Sequence, residues 1–138
     1  MLRIDNEYPG FSKWFNGAAD VEKQRIINHI VNSALHACGI DGPVIAKAMD
    51  NLNRAKRYPL DLLREIEGLR DEYDETYFEM NATEPEAAFI YFKKARALTA
   101  LVFALRSTTD HDRLECIYEA LHAIGGKDKV FQQIQSFL

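Results

Sequence analysis

Glu119 and His122 stand three residues apart, a spacing that puts both side chains on one face of a helix. Di-iron carboxylate bundles use this Glu-x-x-His pair twice and add a Glu from each of two further helices. Here the pair occurs once. His29 and His36, seven apart, share one side of another helical stretch. Together with Glu119 and His122 they form a set from which folding could assemble a metal-assisted hydrolytic site. A histidine near a helix C-terminus also has a plainer cause, since His⁺ complements the negative end of the dipole. His111-Asp112 matches the dipeptide of metal-dependent HD phosphohydrolases, but the other ligands, His36 and Asp128, fall at arbitrary spacing. The acids around His111 are explained by the helix start that they would occupy.

Nucleophilic chemistry finds less. There is no Gly-x-Ser-x-Gly and no glycine-rich phosphate loop, and Gly125-Gly126 reads as a helix stop. Cys38 and Cys116 fall at inward helical positions, where a thiol is usually inert. A disulfide between them is feasible, but a chain of 138 residues does not need one, and free buried thiols are expected. No catalytic residue, metal or cofactor is assigned from the sequence.

The informative element is the stretch from Pro59 to Asn81. Between Leu60 and Glu86 lie ten acidic and two basic residues, whereas each flank carries two more basic than acidic residues. At about 100° per residue, Leu62, Ile66, Leu69, Tyr73, Tyr77 and Met80 gather on one side of a helix. Asp61, Glu65, Glu67, Asp71, Glu72, Asp74, Glu75 and Glu79 cover the other half. The like-charge pairs Asp61–Glu65, Glu67–Asp71, Asp71–Glu75 and Glu75–Glu79 each cost roughly 0.2–0.5 kcal/mol. Phe78 lies on the acidic side, where an exposed aromatic can anchor an interface.

Two readings of this face compete. It is a solvated face neutralised by Lys47, Arg54, Lys56 and Arg57 before it or by Lys93, Lys94 and Arg96 after it. Or it is a docking surface for a basic protein, whose binding relieves the repulsion. The second reading makes the chain a non-enzymatic binding protein with Asp61, Glu65, Glu67, Asp71, Glu72, Asp74, Glu75, Phe78 and Glu79 as its contact set. Small acidic immunity proteins, which mask a bacterial nuclease toxin, have this general size and charge. The alternatives are a helical metal-dependent hydrolase and a self-associating adaptor. Nucleic acid is excluded as a partner by the sign of the concentrated charge.

The elements around this stretch all read as helices. The chain has 47% hydrophobic and 28% charged residues with 7 Gly and 4 Pro, an ordinary composition for a folded domain. Residues 1–19 are expected to form an N-terminal arm with a short aromatic turn at Phe11 to Phe15. Asp20 reads as an N-cap, and Ile27, Ile30, Val31, Ala34, Leu35 and Cys38 follow one helical face up to a stop at Gly39. Pro43 opens a further helix, expected to run to about Arg57, with Val44, Ile45, Ala48, Met49 and Leu52 inward. Thr83-Glu84-Pro85-Glu86 reads as a capping box. The helix it opens, 84–106, is apolar nearly all round and is expected at the centre of the bundle. Thr109 or Asp110 caps the next helix, which turns Leu114, Ile117, Tyr118, Leu121 and Ile124 inward. A last helix would use Val130, Phe131, Ile134, Phe137 and Leu138.

The expected fold is therefore all-α: one domain over 1–138, a bundle of six or seven helices around 84–106. Met1 to Trp14 lacks the apolar core of a signal peptide. The longest uncharged apolar stretch, Ala97–Leu105, is far short of the roughly 20 residues that cross a bilayer. No membrane contact and a cytoplasmic location are expected.

Overall fold

Glycines and a proline punctuate the chain where the sequence places them. In a computed structural model that describes residues 2–54, 60–106, 109–124, 128 and 132–134, the first long helix closes in a Schellman motif. Gly39 takes φ +66°, its N–H donates to His36 O at 3.1 Å, and Ile40 N–H donates to Leu35 O at 2.9 Å. Three residues later Pro43 occupies the first position of the next helix, where its missing N–H costs nothing.

Seven helices have both ends among the described residues, which hold no strand. They are α1 (Arg3–Glu7), α2 (Phe11–Asn16), α3 (Asp20–Ala37), α4 (Pro43–Asn53), α5 (Leu60–Met80), α6 (Pro85–Arg106) and α7 (Asp110–Ala123). The fold is an all-α bundle. Residues 132–134 are helical and Ile134 is buried. Pro59, Lys56, Arg57, Gly125, Gly126, Val130, Phe131, Phe137 and Leu138, on which several expectations rested, lie outside the described residues.

Helix α6 packs against α3, α4, α5 and α7. Five alanines (Ala88, Ala95, Ala97, Ala100 and Ala104) are buried along it, and their small side chains let the neighbouring backbones approach. The expectation that α6 is buried on every side fails in its first half, where Phe89 is 49% and Ile90 57% exposed. Length explains the difference. The 14 residues of α7 cover about two-thirds of the rise of the 22-residue α6. Apart from Ala88, every buried residue of α6 lies from Ala95 onward.

The N-terminal segment is more than an arm. Residues 3–7 form α1, and Ile4, Phe11 and Phe15 are buried in the one hydrophobic cluster that α3 to α7 share. Asp5 fixes α1 to α2 by accepting from Ser12 N–H at 2.9 Å and from Ser12 Oγ at 2.6 Å. These hydrogen bonds, the hydroxyl first, hold the Asp5 carboxyl below its ordinary pKa.

Two caps differ from expectation. Asp20 is the first residue of α3 and Ala19 is the N-cap, because Glu22 Oε2 reaches back to accept from Ala19 N–H at 3.4 Å. Thr83 does not cap α6. The loop is so short that Thr83 and Glu84 still close α5, both donating their N–H to Met80 O, at 3.1 and 2.8 Å. Thr109 behaves as expected and accepts from Asp112 N–H at 3.2 Å.

Candidate functional site

Helix α5 is held to the bundle by buried Leu63 and Ile66, with Leu62, Leu69 and Tyr73 partly buried beside them. Leu63 was absent from the stripe read from periodicity. The opposite face is turned to solvent as the acid pattern requires. Asp61, Glu65, Asp71, Glu72, Glu75, Phe78 and Glu79 are exposed, and Glu67 is half-buried. Phe78 is 73% exposed, with its ring 5.3 Å from that of its neighbour Tyr77.

Asp74 does not belong to this surface. It turns inward to accept from Arg96 Nη2 at 3.3 Å, because α6 brings a cation to that side of α5. Asp71 is bridged by its neighbour Arg70 at 3.1 Å. The other acids of the set (Asp61, Glu65, Glu67, Glu72, Glu75 and Glu79) make no ion pair among the described residues.

Among the described residues, Arg54, Lys93 and Lys94 make no ion pair with the acids of α5. Arg54 bridges Asp50 at 3.1 Å, one turn away on α4. Lys93 lies over the Phe89 ring at 5.0 Å and Lys94 over Tyr73 at 5.4 Å. Of the described candidates for neutralising α5, Arg96 alone makes an ion pair with it.

The exposed Phe78 continues into rings that sequence reasoning had placed in the core. Centroid distances run from Phe78 to Tyr77 at 5.3 Å, Tyr77 to Phe92 at 5.4 Å, and Phe92 to Phe89 at 5.6 Å. Phe78, Phe89 and Ile90 thus give the α5–α6 hairpin an apolar margin beside its carboxylates. The signal for Phe89 and Ile90 lay in the apolar surplus of α6, which exceeded what one helix face can bury.

A second charged group was missed. Arg3 donates from Nε to Glu115 Oε2 at 3.0 Å and from Nη2 to Glu119 Oε1 at 3.0 Å, and it stacks 4.2 Å over Tyr118. Arg96 reaches the other oxygen of Glu119 at 3.4 Å. Both glutamates are buried, at 9% and 3% exposure. The hydrogen bond that Arg3 donates to Glu115 leads the effects that raise the Arg3 pKa, against the desolvation that opposes it. Arg96 Nε is buried without a hydrogen-bond partner among the described residues. The network therefore ties α1, α5, α6 and α7 together.

It also disperses the histidine set. Glu119 is spent on two arginines, whereas His122 Nε2 meets Glu7 Oε1 at 2.6 Å. His29 Nε2 lies 3.4 Å from Gln133 Oε1, and His36 is exposed. Among the described residues no group of three His, Cys, Asp or Glu side chains is placed to hold a metal ion. Nor is any described helix long and apolar enough to cross a membrane. Both cysteines are free. Burial pushes the Cys116 thiol up, and also that of Cys38, where Lys93 and Lys94 partly oppose it.

No family model, curated protein or solved structure matches this chain.

Proposed function

We propose that the chain is a non-enzymatic, cytoplasmic protein-binding module whose α5 face engages a basic protein partner. Neutralisation of a bacterial nuclease-type toxin, as small acidic immunity proteins achieve, is the biological class that fits this character. One observation carries the reading: six carboxylates of α5 stand without an ion pair among the described residues beside Phe78, which is 73% exposed. Four i,i+4 repulsions on that face cost the free protein about 1–2 kcal/mol in all. A cationic partner relieves them, and the field of the face speeds association at low salt. Phe78, an aromatic at the end of the ridge, supplies desolvated contact that charge alone does not.

The test is capture from the native organism. Wild-type protein and a Glu72→Lys, Glu75→Lys, Glu79→Lys variant are immobilised in parallel. The reading expects one basic protein to be retained by the wild type, lost from the variant, and bound more weakly as salt rises. Equal retention by both proteins makes the face a solvated one.

Self-association is the second reading, favoured by the exposure of Phe89 and Ile90 at the same hairpin. Sedimentation over a range of concentrations separates it from a monomeric inhibitor.

A further inference from the structure

A cavity of ≈ 370 Å³ opens where α5, α6 and α7 meet. Its walls are Arg70 from α5, Thr99, Val102, Phe103 and Arg106 from α6, and Asp112 from α7. The four α6 positions share one helical face, so Val102 and Phe103 make an apolar floor between two guanidinium groups. The volume is at the small end of the roughly 300–1,000 Å³ range of ligand pockets.

The donors of this cavity are only partly used. Asp71 Oδ1 takes Arg70 Nε and Nη2, each at 3.1 Å, and Nη1 has no partner among the described residues. Arg106 has no carboxylate within ion-pair distance among the described residues. Thr99 donates its hydroxyl proton to Ala95 O at 2.8 Å, so its oxygen can only accept. A cation at the end of α6 complements the helix dipole. That accounts for the charge of Arg106 but not for its sharing a cavity with Arg70. Asp112 brings one carboxylate to the lining and Asp71 already answers Arg70, so Arg106 is the lining cation without an ion pair among the described residues.

We infer that this cavity binds a small organic anion, a carboxylate on a flat apolar body, with the carboxylate on Arg106 and Arg70 and the body on Val102 and Phe103. The planar guanidinium fork matches a carboxylate in two hydrogen bonds. The apolar floor selects against a bare inorganic ion. This inference is independent of the proposed protein partner.

Titration of the full chain with sodium benzoate, followed by ¹H–¹⁵N spectra, tests it. Benzylamine serves as the control of like shape and opposite charge. Saturable shifts are expected at Arg70, Thr99, Phe103, Arg106 and Asp112, with none from benzylamine. Arg106→Gln, a change at an exposed residue, should raise the apparent Kd about tenfold or more, and Arg70→Gln should weaken binding in the same direction. Asp112→Asn should tighten it. Shifts that never saturate, benzylamine binding as well as benzoate, or an Arg106→Gln Kd equal to wild type would each overturn the inference.

Discussion

Arg3 Nη2 donates to Glu119 Oε1 at 3.0 Å, while Nε of the same guanidinium donates to Glu115 Oε2 at 3.0 Å, one helical turn earlier. Arg3 is half-exposed and its two acceptors are buried, so the start of the chain brings positive charge to carboxylates that water cannot reach. Burial of those acids is tolerable only while both arginines stay in place.

Replacing Arg3 with Met should therefore destabilise the fold by about 1–3 kcal/mol, less than a fully buried pair would lose because Arg3 is half solvated. Urea denaturation measures this. Adding Glu119→Gln to that variant should cost less than the two single changes summed, since the groups share one network.

Acid stability should follow Asp110. Burial alone would raise its pKa, but hydrogen bonds from Lys23 and Arg113 outweigh burial and hold it below the ordinary 3.8. A depressed carboxyl stabilises the fold above its unfolded-state pKa, and that contribution disappears as pH falls through the folded-state value. Asp110→Asn also leaves the buried Lys23 without its carboxylate. The variant should be about 1–3 kcal/mol less stable at neutral pH. The gap should close as urea midpoints are followed below 3.8, and a gap independent of pH would refute the assignment.

Thiol reactivity should differ between the two cysteines. Cys116 is buried and its thiol is pushed strongly toward the protonated form, so a disulfide reagent should reach it only in denaturant. Cys38 is half-buried and donates to Ala123 O at 3.5 Å. It should be the single, slow-reacting thiol of the native protein, and counting released thiolate before and after denaturation checks both expectations.

The outer face of α5 should be dispensable for folding. Phe78→Ser should alter stability by no more than about 0.5 kcal/mol, as expected where a side chain is mostly in water. Glu75→Gln removes repulsion with both Asp71 and Glu79 and should raise stability by about 0.4–1 kcal/mol. Thermal melts of each variant decide this, and a large loss for Phe78→Ser would mean that the ring packs more deeply than its exposure indicates.

The long helices and several of their ends were legible because their signals are local. A left-handed glycine after Cys38, Pro43 at a helix start and Thr109 at a cap each act within a few residues of chain. The buried stripe of α3 was equally readable, since the helical period alone places Ile27, Ile30, Val31 and Ala34 together. Thr83 misled for a related reason. Its motif is local, but the end of α5 competed for the same residue and won.

The amino-acid order by itself determined an all-α chain with one half of α5 charged and the other half apolar. Only the tertiary structure decided which of those charges are answered. Asp74 finds Arg96, Glu119 finds Arg3 and Arg96, and Lys93 and Lys94 settle over aromatic rings. Periodicity fixes the direction a side chain leaves its helix, but not how far the neighbouring helix extends. Phe89 and Ile90 are exposed because α7 is shorter than α6. Pairing and cover depend on distances between residues far apart in the chain, and those exist only once the helices have packed.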